Sequence, residues 1–165
     1  MSDENALAPL HVFRFHVDFH ENPRNPTIGR TPICSGAFAE CTGLEATMEP
    51  KVIKEGGRNY GALQRSGPVT FATVILKRGL TTTRDLWKWF ELVTGGKYAV
   101  RLSATINVYD VSGVAQIAWR LEQALPIKFK APDLNGRGTE VGIEELHLAH
   151  EGLRLTTPSR RSLVS

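Results

Sequence analysis

The sequence predicts an α+β protein built mainly from antiparallel strands: a small β-barrel or sandwich with one flanking α-helix at about residues 82–94. Three observations predict it. Apolar and polar residues alternate with period two in several separate segments, the mark of half-buried strands. One stretch follows the helical period instead, with Leu86, Trp89, Phe90 and Val93 on a single stripe. Turn residues, rather than further helices, separate the alternating segments.

In order along the chain, Phe13, Phe15, Val17 and Phe19 alternate with Arg14, His16, Asp18 and His20. Pro23, Pro26, Gly29 and Pro32 make the following residues a loop. A second strand is expected from about Ala37 to Thr47. Val52 and Ile53, flanked by Lys51 and Lys54, then precede Gly56-Gly57, Gly61 and Gly67-Pro68, which reads as a strand hairpin or extended arm followed by a loop. Val69, Phe71 and Ile75 alternate with Ala72, Val74 and Leu76, so the next strand is apolar on both faces and central. The helix is expected to open with a capping box of Thr82 and Asp85 and to stop at a left-handed Gly95. Tyr98, Val100, Leu102, Ala104, Ile106 and Val108 form the cleanest strand. Asp110-Val111-Ser112-Gly113 turns it into a hairpin with Ala115, Ile117, Trp119 and Leu121. Ile127 and Phe129 alternate with Lys128 and Lys130 before Pro132.

The last strand raises a question of sidedness. Val141 and Ile143, then Leu146 and Leu148, then Leu153 and Leu155 switch parity from odd to even and back. Side chains on one strand point to alternate faces. Either bulges reset the phase, or something outside the domain covers the second face.

At 165 residues the chain is expected to be one domain, with a core over about 11–155 and loose tails. Its 41% hydrophobic and 22% charged content is that of a folded soluble protein. A net charge of +3, with basic residues scattered singly or in pairs, does not indicate nucleic-acid binding. The acidic start Met1-Ser2-Asp3-Glu4-Asn5 is not expected to act as a secretory signal, and no apolar run suits a membrane helix. Cys34 and Cys41 are expected to be reduced thiols.

A search for chemistry finds no catalytic motif and calls for no cofactor. His16, Asp18 and His20 share a strand face, but residues four apart on a strand are separated by about 13 Å, too far for both imidazoles to reach one ion. Gly56-Gly57-Arg58 lacks the phosphate-loop spacing. Trp89 and Trp119 are expected in the core, whereas Trp87 lies off the helix stripe and is expected to touch another chain.

Several fragments, taken in order, carry a resemblance: Phe38-Ala39-Glu40-Cys41-Thr42-Gly43-Leu44-Glu45, Glu55-Gly56-Gly57-Arg58-Asn59, Leu76-Lys77-Arg78-Gly79, Leu86-Trp87-Lys88-Trp89, Trp119, Ala124-Leu125-Pro126-Ile127-Lys128, Pro132-Asp133-Leu134 and His150-Glu151-Gly152-Leu153. The set resembles the contractile-tail tube proteins of bacteriophages and the inner tubes of extracellular contractile injection systems. Two departures stand out: Gln123 where the family more often has asparagine, and Gly67-Pro68 in a loop where it has Pro-Gly.

The resemblance implies a tail-tube fold, with hexameric rings stacked into a tube that carries cargo through its channel. It implies a contractile sheath and baseplate or spike proteins as partners. Assembly is expected in the cytoplasm without a signal peptide, giving part of a virion tail or injection particle. Expected subunit contacts are Val52, Ile53, Lys54, Glu55, Arg58 and Asn59 in the arm, Trp87 on the helix, and Glu144, Leu146, Leu148 and His150 on the last strand. Candidates for the channel lining are the polar faces Arg14-His16-Asp18 and Arg101-Ser103-Thr105-Asn107. Alternatives are a tube-initiating protein at the baseplate, a metal-dependent enzyme using His16, Asp18 and His20, and a lone ligand-binding β-barrel.

Overall fold

The computed structural model describes residues 14–21, 36–57, 60–96 and 101–158. Phe13, Cys34, Arg58, Asn59, Tyr98 and Val100 therefore lie outside the described residues. In chain order the elements are β1 (Phe15–Glu21), β2 (Glu40–Thr42), β3 (Ala46–Met48), β4 (Lys51–Ile53), β5 (Leu63–Arg65), β6 (Val69–Phe71), β7 (Val74–Gly79), α1 (Asp85–Thr94), β8 (Leu102–Tyr109), β9 (Ala115–Lys130), β10 (Ile143–Ala149) and β11 (Gly152–Thr156).

Every pairing is antiparallel, and two sheets share one long strand. The first half of β9 pairs with β8 on one edge and β11 on the other, and β1 adds beyond β8. The second half pairs with β10, followed by β7 and β2. Among the described residues the path β1-β8-β9-β10-β7-β2 does not close into a continuous ladder, although a single bridge joins Val17 of β1 to Gly36 ahead of β2. Of the expected barrel or sandwich, the described residues form the sandwich-like arrangement, a sheet folded over a core.

That core lies between the inner faces of the two halves. Val17, Phe19, Ala104, Ile106 and Leu121 meet Val74, Leu76, Leu146 and Leu148, all fully or almost fully buried. Helix α1 adds Leu86, Trp89 and Val93, the stripe legible in its sequence. Trp89 meets Phe19 edge to face, with centroids 5.2 Å apart, a favoured aromatic geometry.

β9 changes sheets by means of bulges. Ala104 opposes Leu121 while Leu102 opposes Ala124, so β9 carries one residue more than β8 in that interval. Within it Gln123 takes a left-handed backbone, φ 54°. A second extra residue, Ile127, separates the pairs Leu148–Pro126 and His147–Lys128. Each insertion flips the inward parity. Leu121, Pro126 and Phe129 consequently all turn toward the core side, and Ile127 turns out.

The parity switch near the C-terminus has a different origin. β10 buries its even positions throughout, so Val141 and Ile143 face outward. The strand then breaks at His150-Glu151 and resumes as β11, where Leu153 faces Leu121. Leu146 and Leu148 are wholly buried and belong to the core. The expectation that they contact a neighbour is corrected, because the face they occupy is covered within the chain.

Glu144 is also enclosed, at 4% exposure, because Arg78 neutralises it. Arg78 Nε donates to Glu144 Oε1 at 2.6 Å, while its two terminal nitrogens grip the Asp85 carboxylate. The guanidinium lies 5.5 Å from the centroid of the Phe38 ring. One cation therefore joins β7, β10 and the first residue of α1. Glu144 is corrected from interface contact to internal ion pair.

The same network explains why the expected capping box is not formed. The helix begins at Asp85 after a left-handed Arg84, and no side chain caps it in the expected way. The Asp85 oxygens are occupied by Arg78, the Thr83 hydroxyl and the Leu86 N–H. At the other end the left-handed glycine is Gly96, not Gly95. The expected 37–47 strand is likewise split into β2 and β3 at Gly43, whose φ is +87°.

Three outcomes test this account. Arg78→Met leaves a buried carboxylate unpaired and should cost about 3–5 kcal/mol in urea unfolding, much of it recovered by Arg78→Met/Glu144→Leu. Burial alone pushes the Asp85 carboxyl up, but hydrogen bonding and charge from Arg78 outweigh it and hold its pKa below the ordinary value. Its stabilisation is accordingly complete above about pH 4 and lost as pH falls through the lowered folded value. Thermal melts against pH should show this acid loss, and Asp85→Asn should reduce it. Finally, asparagine tolerates the left-handed region better than glutamine, so Gln123→Asn should stabilise by up to about 1 kcal/mol and Gln123→Val should destabilise by about 1–2 kcal/mol.

Candidate assembly surfaces

The arm leaves the second sheet between β2 and β7. Its two limbs pair as β3 with β6 and, farther out, β4 with β5. Two glycines permit this path. A Cβ on Gly43 would lie 2.0 Å from the Thr73 carbonyl oxygen, and one on Gly67 would lie 1.8 Å from that of Glu49. No other residue type fits such close backbone approaches.

Strand propensity and cross-strand hydrogen bonds form the arm, but it encloses almost nothing. Met48, Val52, Val69 and Tyr60 are exposed, Val52 at 56%. Ile53 is half-buried, while Lys54 and Glu55 are exposed. Arg58 and Asn59 fall outside the described residues. A two-stranded ribbon without a core is marginal alone, and its apolar residues remain available for burial by another surface.

The root of the arm is braced by His150. Its ring packs on Phe71 of β6, with centroids 5.2 Å apart, and Nδ1 lies 3.0 Å from the Gly152 carbonyl. His150 therefore couples the β10–β11 break to the arm rather than presenting itself freely outward. Trp87 is 45% exposed and leans on Phe90 and on Phe129 of β9. Its partial exposure is compatible with the expected contact.

The surface missing from the expectations is next to β10. Val141 is 74% exposed, Ile143 42% and Leu155 65%. Val141 and Ile143, with Leu80 and Leu134, line an open groove of about 660 Å³ under the 131–142 loop. The odd-parity pair Val141 and Ile143 carried the signal. Recognising which parity faces out required the Arg78–Glu144 pair.

The polar residues of β1 and β8 share one face. His16, Asp18 and His20 stand opposite Asn107, Thr105 and Ser103. Asp18 accepts from Asn107 Nδ2 at 3.3 Å and lies 3.3 Å from His16 Nε2. Ser103 and Asn107 are buried, so much of the β8 stripe is not on the surface. Among the described residues, no three His, Cys, Asp or Glu side chains gather to hold a metal. Burial pushes the Cys41 thiol up to about 11, which keeps it protonated and unreactive. No helix among the described residues is long and apolar enough to cross a membrane.

Comparison with known proteins bears on these surfaces. No curated protein sequence matches the chain. Among solved structures, a chain of the anti-feeding prophage baseplate, determined with 6-fold symmetry, is 26% identical with a TM-score of 0.76, covering 90% of this chain and 96% of that one. A chain of the sheath–tube complex of the PVC extracellular contractile injection system is 16% identical with a TM-score of 0.75, covering 96% and 99%. A chain of the anti-feeding prophage tube-terminating cap is 15% identical with a TM-score of 0.74, covering 92% and 93%. These last two share the fold. Residues 11–154 match the family of the T4-like virus tail tube protein gp19, and the chain belongs to that family.

Proposed function

We propose that the chain is the repeating subunit of the inner tube of a contractile tail or injection system. Its role is structural rather than catalytic, and residues 1–165 act as one tube domain. Six copies close a ring, rings stack, and cargo passes along the channel. A contractile sheath surrounds the tube, and baseplate and spike proteins terminate it. The family match along residues 11–154 carries this reading.

The exposed surfaces supply its physical logic. A closed ring or stack buries Val52, Val69, Val141, Ile143 and Leu155, which one chain leaves in water. At about 25 cal/mol per Å² of apolar area, repeated identical contacts accumulate into stiffness along the tube. The arm, reaching beyond its own core, is suited to contacts with adjacent protomers or stacked rings. The polar face bearing His16, Asp18 and His20 suits a wetted channel to which cargo does not stick.

The baseplate origin of the 26%-identical neighbour supports a tube-initiating role as a second reading. Electron microscopy of the concentrated protein tests both. Sixfold rings that elongate into hollow tubes are expected, rings that stop at one layer favour initiation, and monomers under all assembly conditions overturn both readings. Val141→Asp/Ile143→Asp should leave monomer stability within about 0.5 kcal/mol, because both side chains already face solvent, yet abolish assembly.

A further inference from the structure

The arm has a joint. Met48 opposite Val69 ends its inner ribbon, and Lys51 opposite Arg65 begins the outer one. Between these pairs one limb has Glu49-Pro50 and the other Ser66-Gly67-Pro68, a residue more. Both prolines lack an N–H, so neither can donate to a ladder across the gap. Glu49 N–H donates to the Pro68 carbonyl at 3.1 Å, and Gly67 N–H donates to the Met48 sulfur at 3.3 Å. A side chain thus accepts where a backbone carbonyl would ordinarily stand.

That acceptor is chemically soft. A thioether accepts hydrogen bonds only weakly, and its sulfur carries two lone pairs, of which the Gly67 N–H occupies one. The limbs are already pressed together, since a Cβ on Gly67 would lie 1.8 Å from the Glu49 carbonyl oxygen. Met48 is 46% exposed and stands beside Val69, itself 51% exposed. Peroxides reach such a methionine. Burial keeps the Cys41 thiol protonated, so among the described residues Met48 is the sulfur open to oxidation.

We propose that Met48 is an oxidation site, taking one oxygen atom from a hydroperoxide, and that its sulfoxide unlocks the joint of the arm. A sulfur lone pair attacks the outer peroxide oxygen, so an S–O bond forms as the O–O bond breaks. The departing oxygen keeps that bond's electron pair and the hydroxyl proton, and leaves as an alcohol, or as water from hydrogen peroxide. Sulfur loses two electrons and the peroxide gains them.

Either position of the new oxygen weakens the tie. On the pair facing Gly67, the oxygen becomes the acceptor. An N–H···O bond needs about 2.9 Å beyond the S–O bond, so the sulfur and the Gly67 nitrogen have to move apart or lose contact. On the other pair, the oxygen withdraws electrons from sulfur, and the remaining pair accepts still more weakly. The Met48–Val69 patch also gains a polar atom, which opposes its burial by another surface. The oxidation site stands on the arm's geometry alone, whereas its effect on assembly rests on the tube-subunit reading. Sulfoxide reductases reverse the change, so the arm of an unassembled chain can be turned off and on.

Hydrogen peroxide added to the unassembled full-length chain tests this. Peptide mass spectrometry should find one added oxygen on Met48 at doses that oxidise free methionine, and an unmodified Met48 overturns the site. Amide exchange at Gly67, read by NMR, should quicken several-fold on oxidation. Met48→Leu, which lacks the sulfur but stays apolar, should exchange at that faster rate without peroxide. An unchanged Gly67 rate after complete oxidation overturns the unlocking. Rings or tubes should fall several-fold after peroxide and return after sulfoxide reductase treatment. The chain's other methionine is Met1, and the same mass map shows whether it has reacted. Assembly that is insensitive to oxidation of Met48, or a loss that the reductase does not restore, overturns the switch. A wild type that never assembles overturns the tube reading, while the mass and exchange results still decide the oxidation site.

Discussion

The fold turns on a single cation. Arg78 sits almost fully buried on β7, with Glu144 of β10 on one side and Asp85 of α1 on the other. A buried carboxylate without a partner pays a large desolvation cost, and so does a buried guanidinium. Each therefore requires the others in place. The planar guanidinium satisfies two carboxylates in fixed directions, which sets the start of the helix against the second sheet. The apolar stripe of α1 then meets the core at the height where Trp89 reaches Phe19.

That arrangement has consequences at the surface. With Glu144 turned inward, every even residue of β10 is committed to the core and every odd one faces out. Val141 and Ile143 are exposed for this reason, although their sequence pattern is that of a buried strand. Sheet edges and apolar ribbons of this kind are liabilities in a monomer. On the tube-subunit reading proposed above, further copies of the chain complete these surfaces.

β9 shows how the chain serves two sheets without a break. Its bulges at Gln123 and Ile127 change parity twice between Leu121 and Phe129. The sequence reads locally as two short strands, Ala115–Leu121 and Ile127–Lys130, separated by Ala124-Leu125-Pro126. Their continuity depends on β8, β10 and β11, which come from distant parts of the chain. Bulges leave little trace in composition, and nothing in the local pattern marked either position.

Local pattern alone determined the strands around Val17, Ile106 and Trp119, the helix stripe from Leu86 to Val93, the arm near Val52 and the tail-tube resemblance. Periodicity and turn chemistry act over a few neighbouring residues, so one stretch of sequence contains them. Tertiary structure decided which face each strand buries, that Glu144, Leu146 and Leu148 belong inside, and that Asp85 serves Arg78 rather than a capping box. Those outcomes depend on partners far along the chain: Glu144 lies 66 residues from the cation that allows its burial.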